Sequence, residues 1–122
     1  MKATALTLIL FILMLAVITT NALYVDKTVD SFVSAIQRLE FSDTDLRQQE
    51  LQAITLQWNK EKDIIQASIS HTKIDTVTDL LASLIIYEEQ GSRTEYKKTA
   101  LLLCNAFEEL RLLEKINVTN IL

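Results

Sequence analysis

The stretch "KATALTLILFILMLAVITTNALYVDK" (residues 2–27) decides how the rest of this chain is read. Between Lys2 and Asp26 lie 23 residues without a formal charge. As a helix, residues 3–25 extend roughly 35 Å, enough to cross the hydrocarbon core of a bilayer. The centre, "LTLILFILMLAVI", is built from Leu, Ile, Phe and Met. Thr19, Thr20 and Asn21 fall toward the far end, where headgroups and water solvate them, and Tyr24 stands where interfacial aromatics stand. Lys2 on the near side and Asp26 on the far side orient the segment with its N-terminus in the cytoplasm and the body outside. Residues 1–25 therefore read as a transmembrane anchor and residues 26–122 as an exported domain.

A signal peptide is the competing reading. One basic residue, an apolar run and "TNA" (residues 20–22) are compatible with cleavage after Ala22. Two features favour retention. The run is longer than most signal-peptide cores, and helical periodicity resumes at once beyond it. Val25, Val29, Phe32, Ile36 and Leu39 follow steps of 4, 3, 4 and 3. That is a heptad seam continuing the same helix out of the membrane, as in a coiled coil.

The remainder is all-α by composition. The chain has 122 residues, no proline and one glycine, too little turn material for a β fold. "FSDTDL" (residues 41–46) breaks the first helix near Glu40, and Ser42 with Asp45 is a helix-start signal. A second helix from about Asp43 places Leu51, Ile54, Trp58, Ile65 and Ile69 on one face. "ASISHTKID" (residues 67–75) interrupts it, with Ser68, Ser70 and Thr72 competing for backbone bonds and Thr72 and Asp75 in capping positions. A third helix, about residues 73–90, carries Ile74, Val77, Leu81 and Leu84. Gly91 then supplies a left-handed terminator, and Ser92 with Glu95 forms the start signal of a fourth helix. That helix, about residues 93–115, carries Tyr96, Ala100, Leu103, Phe107 and Leu110. The tail "INVTNIL" (residues 116–122) reads as an extended or loosely helical end that tucks its Ile and Leu against the bundle. The expected architecture is one transmembrane helix continuing into an antiparallel bundle of three to four helices.

Chemistry is sparse. Apart from Lys2, 11 basic residues face 16 acidic ones, a balance of −5 that disfavours nucleic acid and anionic lipid surfaces. His71 with Asp75 and Asp79 has metal-ligand spacing on a helix. One imidazole and two short carboxylates make a poor site, however, and a helix-boundary histidine bonding a neighbour is the simpler reading. Cys104 reads as a small packed hydrophobe. Trp58 reads as a core anchor, with a partner-docking hot spot as the alternative. Glu88 with Glu89 and Glu108 with Glu109 read as solvated faces. "NVT" at Asn117 is a glycosylation acceptor only in a eukaryotic secretory pathway. No catalytic, cofactor or metal residue is assigned, and no cofactor is expected. The partners expected are the membrane, through residues 3–25, and another protein or a second copy.

The order of Trp58, "KDII" (residues 62–65), "ISHTKID" (residues 69–75) and "NIL" (residues 120–122), behind an N-terminal anchor, resembles a family of short bacterial membrane-anchored helical proteins known only as a domain of unknown function. The resemblance spans nearly the whole chain. It implies a single-pass protein of the bacterial plasma membrane with an extracytoplasmic helical body, and it implies no activity. Gly91, Cys104 and the "GSRTE" loop are not part of that pattern. The expectation is a non-enzymatic interaction module. Its alternatives are an extracytoplasmic ligand-sensing bundle, with a cavity lined by Trp58, Tyr87 or Tyr96, and a secreted helical factor.

Overall fold

A computed structural model describes residues 2–66 and 69–121, with the side chains at 117, 118 and 121 outside that description. Four helices follow in order: α1 (Lys2–Leu39), α2 (Thr44–Ile65), α3 (His71–Gln90) and α4 (Arg93–Ile121). α1 packs against α2 and α4, and α3 packs against the same two helices. The result is an up-down-up-down four-helix bundle, the arrangement that short connections between amphipathic helices favour.

α1 is one 38-residue helix that changes environment partway along. Residues 2–14 are exposed, whereas Val25, Val29, Phe32, Ile36 and Leu39 are all buried. The heptad seam read from the sequence is thus the stripe α1 contributes to the core. The corresponding stripes of α2 (Leu51, Trp58, Ile65), α3 (Ile74, Val77, Leu81, Leu84) and α4 (Tyr96, Leu103, Phe107, Leu110) are buried against it.

Three aromatic rings tie the centre together. Phe32 and Phe107 stack with centroids 5.1 Å apart, and Trp58 meets both edge-on, at 5.7 and 5.4 Å. Trp58 also donates from Nε1 to Thr78 Oγ1 at 2.9 Å. One residue on α2 is therefore joined to α1, α4 and α3 at once. Stacked and edge-on ring pairs add to area burial, and the indole N–H avoids the cost of an unpaired buried donor.

The connections show where local signals hold and where they fail. Gly91 ends α3 at φ 69°, ψ 18°, and Ser92 N–H donates to Tyr87 O at 3.0 Å, the pattern of a left-handed glycine terminator. The start signals upstream behave differently. Asp43 rather than Ser42 occupies the cap of α2 and makes no side-chain cap bond, while Ser42 Oγ donates back to Arg38 O at 3.4 Å. Likewise Ser70, not Thr72, precedes α3, again without a side-chain cap bond. Ser68 lies outside the described residues. The tail also differs from expectation. α4 runs without interruption to Ile121.

The aromatic knot is the energetic centre of this packing. Phe107→Ala should cost about 3–5 kcal/mol, whereas Leu101→Ala, at a position 65% exposed, should stay within about 0.5 kcal/mol. Urea unfolding of the full chain in detergent micelles, followed through Trp58 emission, measures both.

Candidate functional site

Two polar clusters mark the two ends of the bundle. At the end remote from the apolar segment, Arg47 on the first turns of α2 is buried with Glu88 near the end of α3. Arg47 Nη1 donates to Glu88 Oε1 at 2.9 Å, Nε to Leu39 O at 3.0 Å and Nη2 to Ser42 O at 2.6 Å. The guanidinium therefore neutralises a carboxylate and also satisfies carbonyls where α1 ends, groups that a helix C-terminus leaves without partners. Its Cζ lies 5.6 Å from the centroid of the Tyr96 ring, and Arg93 Cζ lies 5.4 Å from the same ring. Burial pushes the Tyr96 phenol up to about 12, with the nearby Arg47 pulling the other way. Tyr96 Oη has no hydrogen-bond partner. With Arg47 bonded to Glu88 and to two carbonyls, this corner fastens helix ends.

Reading Glu88 as a solvated acid is thus corrected. It is 7% exposed and charge-paired, because it faces the α2 start across the bundle. Its neighbour Glu89 is exposed, as are Glu108 and Glu109, which pair with Arg111 and Lys73 on the surface. Nothing in the sequence drew attention to Arg47. The available signal was a lone cation in the first turn of a helix, where the dipole disfavours it unless a carboxylate answers.

The second cluster lies at the base, where α1 leaves the bundle. Asn21 Nδ2 donates to Glu114 Oε1 at 2.8 Å. Arg111 pairs with Asp26 at 3.2 Å, with Glu108 at 3.6 Å, and with Asp30. Glu114 is 4% exposed, and its Oε2 has no hydrogen-bond partner. A groove of about 270 Å³ between α1 and α4 is lined by Thr19, Leu23, Asp26, Arg111, Glu114 and Lys115, among others. The three acids around Arg111 more than balance its charge.

The residues singled out from the sequence are scattered. His71 is exposed as the first residue of α3, and Gln66 Nε2 donates to its Nδ1 at 2.8 Å, the helix-boundary role expected of it. Asp75 and Asp79 are exposed, and among the described residues no group of three His, Cys, Asp or Glu side chains is placed to hold a metal ion. Cys104 is a free, half-buried thiol. Burial raises its pKa and Glu108 adds to the rise, which moves it away from the thiolate form. Trp58 is fully buried, as a core anchor should be. Asn117 has its side chain outside the described residues.

The geometry defines a class: an all-α bundle whose first helix is long and apolar enough toward its N-terminus to span a membrane. The chain belongs to the family described as a domain of unknown function, DUF4363, whose model matches residues 18–121. That match begins inside the apolar segment, three residues before Asn21. Neither a curated protein nor a solved structure matches the chain.

The Arg47 cluster has a direct test. Arg47→Met leaves Glu88 buried and unpaired and should cost about 3–5 kcal/mol. Adding Glu88→Leu should recover most of that loss. It should not recover all of it, because the Ser42 carbonyl loses its donor at about 1 kcal/mol and Leu39 O keeps only its bond from Ser42 N–H. Denaturant titration of the two variants reads both effects, and full recovery in the double variant would show that the carbonyl bonds add nothing.

Proposed function

We propose that this protein is a non-enzymatic, membrane-tethered helical module that displays its bundle on the outer side of a bacterial plasma membrane and binds another protein or a second copy of itself. One observation carries the reading. The 18-residue apolar window of α1 has a mean hydropathy of 2.4 and is 0% buried, yet the same helix continues unbroken into the bundle core. An apolar helix left uncovered by its own fold needs lipid around it. Lys2 before the segment and the acidic body after it support an N-in orientation.

The non-enzymatic part of the proposal rests on what the polar groups do. Arg47, Glu88, Arg111 and His71 are each engaged in structural bonds, and Cys104 is shifted away from reactivity. The ligand-sensing alternative draws little support from Trp58, which is enclosed by Phe32 and Phe107. Tyr96 does line a shallow groove of about 300 Å³, together with Ile36, Lys97 and Leu101. The secreted alternative requires a cut after Ala22, in the middle of a continuous helix. Such a cut would remove Asn21, the partner of buried Glu114.

Exposed apolar side chains on the bundle, Phe41 (89%), Leu56 (65%) and Leu101 (65%), supply the contact points for a protein partner. Photo-crosslinking groups introduced at these three positions in intact membranes should yield discrete protein adducts from at least one of them. Recovery of uncrosslinked monomer alone from all three would remove the interaction role.

A further inference from the structure

We infer that the C-terminal end of α4 is a second membrane element: residues 115–121 sink into the outer leaflet beside α1, packed on it as a foot. The inference rests on reading α1 as a retained anchor and names the lipid-facing surface that goes with it.

The bundle has a floor, and α4 passes through it. α2 ends at Ile65 and α3 begins at His71, and Ile64 near the end of α2 shares a groove with Thr20 and Tyr24 of α1. Lys73, in the first turn of α3, pairs with Glu109 at 2.6 Å. Beyond that level α4 continues to Ile121, and Asn21 of α1 meets it at Glu114. Leu112 and Ile116, at 56% and 45% exposure, are apolar side chains left open on this overhang.

The depth follows from α1. Residues 2–14 are exposed, while Leu15 and Ile18 are half-buried, and Thr19 shares a groove with Lys115. The unaccompanied apolar part, residues 3–14, measures about 18 Å, well short of the roughly 30 Å hydrocarbon core. Crossing that core takes about 20 residues, up to about Ala22. The turns of α1 that complete the span are therefore the ones α4 already covers. The two helices meet there through Asn21 and Glu114, and α4 continues roughly 10 Å deeper.

The overhang is uncharged and mixes apolar residues with Asn117 and Asn120. Lys115 is the last charged residue of α4, and none follows through residue 121. Arg111 and Lys115 stand at headgroup height, where their stems can lie along apolar surface with the charge in water. Below them, Thr119 Oγ1 donates to Lys115 O at 2.9 Å. Thr7 and Thr20 in α1 do the same, to Ala3 O and Ala16 O, each at 2.8 Å. Each hydroxyl hydrogen is thus satisfied within its own helix, which hydrocarbon requires and which the exposed Thr76 of the bundle shows too.

The test uses the full chain with Cys104→Ala, reconstituted in phosphatidylcholine–phosphatidylglycerol vesicles. Single cysteines introduced by Thr119→Cys, Asn120→Cys, Leu10→Cys and Glu95→Cys each carry an environment-sensitive fluorophore. Lipids bearing a nitroxide on the upper acyl chain act as quencher. Positions 119 and 120 should show blue-shifted emission and a loss of intensity comparable to position 10, with position 95 unquenched. If position 10 is quenched while 119 and 120 behave like 95, the foot is overturned and the anchor stands. If position 10 is not quenched, the anchor reading fails and takes the foot with it.

Discussion

A single helix here joins an uncovered apolar end to a buried apolar stripe, and the rest of the molecule is arranged around that change. Over its first turns α1 presents apolar side chains in every direction, as a helix must where water is absent. From Val25 onward it presents one apolar stripe, as a helix must where water bathes one side. No proline or glycine interrupts the change, so the orientation of α1 leaving the apolar segment is also its orientation within the core. The bundle is held rigidly on that segment rather than by a linker.

The other three helices complete α1 unequally. α4 shares its full buried length, and the Phe32–Phe107 stack lies near the middle of that contact. α2 and α3 close the opposite side, and Trp58 joins them to the stack. Charges are kept to the ends. Arg47 and Glu88 hold the remote corner, where carbonyls at the end of α1 need donors. Glu114 and Arg111 hold the base, where the chain passes from charged to uncharged sequence on both α1 and α4. A buried ion pair is a weak source of net stability, but breaking one partner of it is costly, so such pairs favour one alignment of helix ends over others.

Much of this was legible in the sequence because helical periodicity is a local signal with long memory. The seam from Val25 to Leu39, the stripes of α3 and α4, and the Gly91 terminator could be read because each depends on spacing within one element. What could not be read depends on what a neighbour provides. Ser42 and Thr72 look like caps in isolation, yet the chain starts its helices at adjacent residues and satisfies the ends otherwise, with Arg47 supplying bonds near Ser42. Glu88 looks like its neighbour Glu89 until Arg47 arrives from another helix. The tail after Lys115 read as extended or loosely helical because it is rich in β-branched residues, whereas α4 continues through it to Ile121. DUF4363 membership, shown over residues 18–121, fits this picture, since the matched region takes in the last turns of the apolar segment along with the bundle.

The account depends most on residues 3–22 remaining covalently part of the mature molecule. Intact-mass measurement of the protein recovered from its native cells, after separation of membrane and soluble fractions, tests this directly. The expected result is a species in the membrane fraction whose mass includes residues 3–22. A soluble species beginning at Leu23 would contradict it.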